Sequence, residues 1–196
     1  MPETTADPTA EPTAEKKPAA AKKPAKPRRS ARVKAVEEAA RTYFDAVTAR
    51  DPAAMAACWH PDGVEDIIPL GVFRGPEAVR VLFSELFRAF PDFEFTVTRI
   101  TADHEVAAAQ WRASGTFTGG RFQGIDPTGR RIELRGTDCL DIDEEGRITR
   151  NTAAYDGAAF ARGIGMLPPE NSGAEKAMRG TFNAVTKLRK AVEGAR

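Results

Sequence analysis

One carboxylate lies on an otherwise apolar face of a predicted strand. The even-numbered residues of this strand are Ile132, Leu134, Gly136, Asp138, Leu140 and Ile142, whereas its odd-numbered residues are mostly polar. Strand side chains alternate between two faces, so we expect the even-numbered set to face the core. A buried carboxylate either finds hydrogen-bond donors or has a raised pKa. A raised pKa suits a general base, which makes Asp138 a catalytic candidate; the alternative is a structural Asp bonded to backbone or Arg.

Asp66 is a second carboxylate candidate. Val64, Asp66 and Ile68 share one face of a short predicted strand, and we expect this face to point inward. Two inward carboxylates push their pKa values apart, so that one acts as a base while the other stays protonated. The two aspartates are therefore the predicted catalytic residues.

Three aromatic residues are candidates for the wall of a substrate pocket. Trp111 and Phe117 belong to a long predicted strand, and an aromatic wall selects planar apolar ligands. Tyr43 lies on the first predicted helix, where its side chain could face either the pocket or the surface.

The histidines and cysteines do not form a recognisable metal or nucleophile motif. His60 and His104 are far apart and lack ligand spacing to cysteines or carboxylates, so we expect no metal site. We interpret His60 as structural and His104 as exposed. Cys58 and Cys139 are interpreted as reduced core residues, with a disulfide as the alternative.

Hydrophobic periodicity divides the middle of the chain into helices followed by strands. Helical spacing and capping signals predict helices over 33–50, 52–58 and 76–90, with a strand over 64–68 between the second and third. Further strands are predicted over 93–100, 105–118, 130–143 and 147–155. This order predicts one α+β domain over 33–168, a strongly curved antiparallel sheet wrapped over three helices, with a pocket at its open end.

The N-terminal segment differs from the domain in composition and charge. Residues 1–32 lack aromatic residues, Leu and Ile, and we expect them to be a disordered tail. Nine Lys/Arg against four Asp/Glu occupy residues 1–34, so residues 16–34 could contact nucleic acid through phosphates. The alternative is a solubilising extension.

The bulk properties predict neither a signal peptide nor a membrane span. The N-terminus has no apolar core of a signal peptide, and no apolar run approaches the ~20 residues that cross a bilayer. We therefore expect a soluble, cytoplasmic protein without a membrane partner.

The C-terminal segment, 169–196, is a linker followed by an amphipathic helix. Its apolar stripe consists of Met178, Phe182, Val185, Leu188 and Val192. This stripe must be buried on the domain's own sheet or on a second subunit, and we favour a homodimer.

Five runs of sequence together resemble one family. They are AFPDFEFTVTRI, VAAAQWRASGTFTG, GIDPTGRRIELRGTD, DEEGRIT and YDGAAFARGIGMLPP, and their order is similar to that in SnoaL-like polyketide cyclases and ester cyclases of the NTF2-like superfamily. The resemblance covers about residues 35–170. It implies a cone-shaped, commonly dimeric fold without a metal or organic cofactor, and a pocket in which Asn151 and Tyr155 lie on a lining face.

The resemblance also contains one departure. Cyclases of this family have a pocket histidine where this chain has Phe117. The sequence therefore supports two functions: cofactor-free acid/base catalysis, of the cyclase or isomerase type, on a small hydrophobic carbonyl compound; or a non-catalytic NTF2-like ligand-binding or dimerisation domain.

Overall fold

The fold consists of a helical layer held within a curved sheet. The computed structural model describes residues 30–194. Its helices are α1 (Ala31–Thr48), α2 (Pro52–Ala57), α3 (Pro76–Ala89), α4 (Gly157–Gly163) and α5 (Gly173–Glu193). Its strands are β1 (Trp59–Ile68), β2 (Gly71–Arg74), β3 (Glu94–Ala102), β4 (Val106–Thr116), β5 (Arg131–Ile142) and β6 (Ile148–Tyr155). Most of the predicted tail, 1–32, and most of the predicted nucleic-acid segment, 16–34, lie outside the described residues.

The six strands form one sheet in the order β2-β1-β6-β5-β4-β3. All neighbours are antiparallel except β1 and β6, which run parallel. The four later strands match the prediction closely. Two elements are absent from it: the edge strand β2 and the helix α4. The parallel contact with β6 brings the first strand of the domain beside the last, so both ends of the predicted α+β unit contribute to one face.

The helices α1 and α3 bury their apolar faces against the concave side of the sheet. The periodicity of α1 places Val36, Tyr43, Phe44 and Val47 in the interior, and α3 adds Val79, Leu82 and Phe87. The ring of Phe44 stacks on Phe95 of β3, with centroids 6.0 Å apart. A side-chain cap from Ser30 and an Asp51-Pro52 start fix the beginnings of α1 and α2.

The short helix α4 closes one side of the cone. Asp156 caps its start by accepting from the backbone N–H groups of Ala158 and Ala159. The ring of Phe160 packs edge-on against Tyr155 and Phe122. Only seven residues long, α4 is too short to show a helical period in the sequence.

The C-terminal helix α5 is amphipathic as predicted, but it buries none of its residues against the described part of the chain. The packing of its stripe on the domain's own sheet is therefore not observed. Among residues 30–194 no helix is both long and apolar enough to cross a membrane.

The histidines and cysteines occupy separate positions at or near the surface. His60 Nδ1 accepts from the backbone N–H of Asp62 at 3.1 Å, and His104 is exposed. Cys58 and Cys139 are free thiols, so the disulfide alternative is wrong. The core interpretation is also wrong for Cys139, because this odd-numbered residue of β5 points away from the helices and is exposed.

Candidate active site

The concave face encloses a cavity of about 100 Å³ between the helices and the sheet. Its lining is apolar and largely aromatic. The helices contribute Tyr43, Phe44, Val47, Leu82, Phe83, Leu86 and Phe160, and the strands contribute Phe95, Trp111, Ile132, Leu134, Ala153 and Tyr155. Of the described residues, Glu65 and Asp138 are the two that bring a carboxyl group to it. The cavity thus combines an apolar wall with two ionisable groups, a composition typical of small-molecule sites.

Asp138 faces inward from β5, as the alternation of that strand predicts. Its residue is 7% exposed. The indole Nε1 of Trp111 donates to Oδ1 at 2.7 Å, and the Asn151 amide Nδ2 donates to Oδ2 at 2.8 Å. No Arg or Lys of residues 30–194 forms a salt bridge with it. Asp138 is therefore held by neutral donors rather than by a cation.

Glu65 is the second buried carboxyl group, and the sequence analysis missed it. The residue is 1% exposed on β1. Its Oε1 accepts from Asn151 Nδ2 at 3.1 Å, and its Oε2 lies 3.5 Å from the donating hydroxyl of Tyr43. These contacts are longer than those of Asp138, so the donors would stabilise an ionised Glu65 less than they stabilise an ionised Asp138.

The strand register explains why these side chains meet. Strand β6 lies between β1 and β5, and its Asn151 is the direct partner of Glu65. Asp138 pairs with Ala153, two residues further along the same face of β6. Diagonal neighbours on one face lie within reach of a side chain. The Asn151 amide can therefore donate to both carboxyl groups at once.

Asp66 does not belong to this cluster, which corrects the prediction that it points inward. The inward face of β1 carries Glu65 and Ile67, so Asp66 lies on the outer face. Its carboxylate there is 3.9 Å from the guanidinium of Arg150. The second inward carboxylate exists, but one residue earlier in the strand.

Burial raises the pKa values of both carboxyl groups. Removal from water raises the pKa of Asp138 from 3.8 to about 6, although its Trp111 and Asn151 donors lower it. The pKa of Glu65 is raised well above its ordinary value, first by burial and then by the charge of Asp138. With a pKa of about 6, Asp138 is mostly ionised at neutral pH, whereas the raised pKa of Glu65 favours its protonated form.

The remaining predicted pocket residues take different positions. Tyr43, Trp111 and Tyr155 line the cavity, and burial raises the pKa of the Tyr155 hydroxyl to about 12. Asn151 is fully buried and lies behind the two carboxyl groups rather than in the wall. Phe117 does not line the cavity: it is fully buried and stacks on Phe90, with ring centroids 5.0 Å apart.

The absence of a side chain at Gly136 lets Trp111 reach Asp138. These two residues are direct partners on β4 and β5. A Cβ on Gly136 would lie 2.2 Å from Cζ2 of the indole. The indole therefore lies over Gly136, in the space that a side chain there would take, and its Nε1 reaches Oδ1 of Asp138.

No group of three or more His, Cys, Asp or Glu within residues 30–194 has an arrangement that could hold a metal ion. The carboxyl groups and phenols that line the cavity are groups that can exchange protons with a ligand.

The model of the SnoaL-like polyketide cyclase family matches residues 37–164. The chain is also similar to a steroid Δ-isomerase of Nocardioides simplex, with 32% identity over 127 residues, which is 64% of this chain and 91% of that protein.

Solved structures show the same fold. One is a protein of Jannaschia sp. CCS1 named as a SnoaL-like polyketide cyclase, with 20% identity and a TM-score of 0.65 over 73% of this chain and all of that one. Another is an LEH-like epoxide hydrolase of M. tuberculosis, with 17% identity and a TM-score of 0.53 over 67% of this chain and 90% of that one. The family resemblance and the α+β cone predicted from the sequence are confirmed.

Proposed function

We propose that this chain, which belongs to the SnoaL-like polyketide cyclase family, is an acid/base enzyme that shifts a double bond in a small hydrophobic ketone. The observation that carries the proposal is the pair of buried carboxyl groups with different pKa values at one apolar cavity. The 32% identity to a steroid Δ-isomerase favours isomerisation over ring closure.

Asp138 would act as the general base. With a pKa of about 6 it is mostly a carboxylate at pH 7, yet basic enough to accept a proton from a carbon acid. Trp111 and Asn151 bind one lone pair on each carboxylate oxygen, and each oxygen keeps another for the incoming proton. The two donors also hold the carboxylate in one orientation.

Glu65 would stabilise the negative charge that develops on the substrate. Because its pKa is raised well above the ordinary value, its carboxyl group keeps a proton that it can donate in a hydrogen bond. Tyr43, next to Glu65 at the cavity wall, supplies a second hydroxyl. Donors fixed in an apolar site stabilise an oxyanion more than they would in water.

The reaction moves one proton from one carbon of the substrate to another through Asp138. Asp138 takes a proton from the carbon between the carbonyl group and the double bond, and the electron pair moves onto the carbonyl oxygen. Glu65 and Tyr43 hydrogen-bond this enolate. Asp138 then returns the proton to the far carbon of the former double bond, which leaves a conjugated enone and the original carboxylate.

A cyclase would use the same first step. The enolate carbon would then attack a second carbonyl group of the same molecule instead of being protonated. The non-catalytic alternative, a ligand-binding domain, draws its support from Phe117, which occupies the position of the family's pocket histidine. Phe117 lies behind the cavity wall, however, and the acid/base pair does not include this position.

The test uses two β,γ-unsaturated ketones: cyclohex-3-enone, which suits a small cavity, and a larger steroid ketone of the same type. We expect an increase in the ultraviolet absorbance of the conjugated enone. With a ketone deuterated at the carbon between the carbonyl group and the double bond, we expect deuterium at the far carbon of the product. Binding of either ketone without turnover would instead support the ligand-binding alternative and overturn the enzyme proposal.

A further inference from the structure

The C-terminal helix α5 presents an apolar stripe that no described residue covers. Phe182 and Leu188 are 70% and 68% exposed, and Met178, Val185 and Val192 are exposed as well. At 100° per residue these five side chains fall within about 120° of the helix circumference. A helix of 21 residues with such a stripe extends over about 31 Å of surface.

The polar side of α5 is strongly basic. It contains Lys176, Arg179, Lys187 and Lys190, and the charged residues of the whole helix are these four and Arg189 against Glu175 and Glu193. The domain that precedes it is acidic, since residues 35–172 contain 14 Lys/Arg and 22 Asp/Glu and have no lysine. The positive charge of α5 is thus a property of this helix and not of the whole domain.

We propose that α5 is an interfacial anchor that binds the surface of an anionic lipid bilayer. An apolar face of Phe, Leu, Val and Met opposite a face of Lys and Arg matches a helix that lies in the headgroup layer. The stripe would enter the acyl boundary while the basic side chains meet anionic headgroups. This proposal departs from the sequence-based expectation of no membrane partner, which rested on the absence of a spanning segment; α5 would lie on the bilayer without crossing it.

Arg189 distinguishes a lipid surface from a second copy of the helix. It lies four residues after Val185 and three before Val192, which places it within the apolar stripe. In a helix–helix seam this guanidinium would be buried between two helices of like net charge. At a bilayer its aliphatic part can lie along the surface while the guanidinium extends to a phosphate.

The test is flotation of the full-length chain with vesicles of phosphatidylcholine alone and of equal parts phosphatidylcholine and phosphatidylglycerol. We expect binding to the mixed vesicles only, weakened by added salt. Replacing both Phe182 and Leu188 by Ser should weaken this binding at least about tenfold. Since these side chains pack on nothing in the domain, the variant should fold normally, and Asn183→Ser on the polar face is the matched control.

Two further variants separate the contributions of charge and apolar insertion. Lys187→Glu with Lys190→Glu should reduce the preference for anionic vesicles. Phe182→Trp should show a blue-shifted emission when mixed vesicles are added, because the indole enters an apolar layer. The basic N-terminal segment is present in every variant, so its contribution stays constant.

Three results would overturn the proposal. The first is equal binding by the double Ser variant and the unchanged chain, which would assign lipid binding to the N-terminal segment. The second is absence of binding to the mixed vesicles. The third is a mass in solution, measured by light scattering without lipid, that halves in the double Ser variant, which would make α5 a contact between two copies of the chain.

Discussion

The side-chain amide of Asn151 donates to Asp138 at 2.8 Å and also reaches Glu65 at 3.1 Å. One neutral group on the middle strand therefore holds two carboxyl groups from the strands on either side. Among the described residues, Asp138 has the indole of Trp111 as a second close donor, whereas the second donor of Glu65 is the more distant hydroxyl of Tyr43. The pKa of Glu65 is raised first by burial and then by the charge of Asp138, and its longer hydrogen bonds offset this less than the close donors do at Asp138. We therefore expect Asp138 to lose its proton first.

Replacing Asp138 by Asn should remove the general base. We expect kcat on a converted ketone to fall by about three orders of magnitude with little change in KM, since general bases contribute 10²–10⁴-fold. The matched control is Asp66→Asn, which makes the same change on the outer face of the same sheet and should leave both constants unchanged. Equal losses in the two variants would contradict the assignment.

Replacing Glu65 by Gln should change the pH profile more than the rate at neutral pH. With Glu65 protonated, kcat/KM should rise through the pKa of Asp138 near 6 and fall again at higher pH, when Glu65 ionises. The Gln side chain cannot ionise, so the alkaline limb should disappear while kcat falls about tenfold through the weaker donor. An unchanged alkaline limb would show that another group is responsible for it.

Replacing Trp111 by Phe should raise the pKa of Asp138. The indole donor stabilises the carboxylate, and its loss should move the acid limb of the pH profile up by about one unit. Trp59→Phe is the matched control, because the buried Nε1 of Trp59 has no hydrogen-bond partner among the described residues. If both variants move the limb equally, the shift comes from general loosening of the core.

Stability should depend on pH in a direction set by Asp138. Between its unfolded pKa of 3.8 and its folded pKa of about 6, the folded state holds a proton that the unfolded state has lost. The free energy of unfolding therefore falls as pH rises through this window, by about 3 kcal/mol for this one group. Above about pH 6 Asp138 is ionised in the folded state too, and its proton no longer contributes to stability.

Chemical denaturation can isolate this term. Glu65→Gln removes the neighbouring titration, so the comparison is between this single variant and the double variant that also has Asp138→Asn. From pH 4 to pH 7 the single variant, which keeps Asp138, should lose stability relative to the double variant. A difference that stays constant with pH would mean that Asp138 has an ordinary pKa when folded.

The sequence could predict Asp138 but not Glu65, for a definite physical reason. The alternation along β5 is unambiguous, because all of its even-numbered residues other than Asp138 and Gly136 are aliphatic. In Val64–Ile68, by contrast, each face has one carboxylate and at least one aliphatic residue, so alternation alone cannot choose between them. The choice comes from pairing with β6, 86 residues away along the chain, which aligns Glu65 with Asn151.

The other differences have similar causes. The helices α1, α2, α3 and α5 and the four later strands follow from local periodicity and capping, so their bounds agree closely with the prediction. Strand β2 has four residues and α4 has seven, and both are too short to show a period. Tyr43 could face either way on sequence grounds, and the burial of its hydroxyl beside Glu65 depends on the same long-range pairing.

The most direct test of the acid/base pair is a titration of its carboxyl groups, followed by ¹³C NMR and assigned with Asp138→Asn and Glu65→Gln. The account predicts a midpoint near pH 6 for Asp138 and a Glu65 carboxyl group that is still protonated at pH 7. A midpoint for Asp138 below its unperturbed value of about 3.9 would contradict it, because such a group would be a structural carboxylate and too weak a base to remove a proton from carbon.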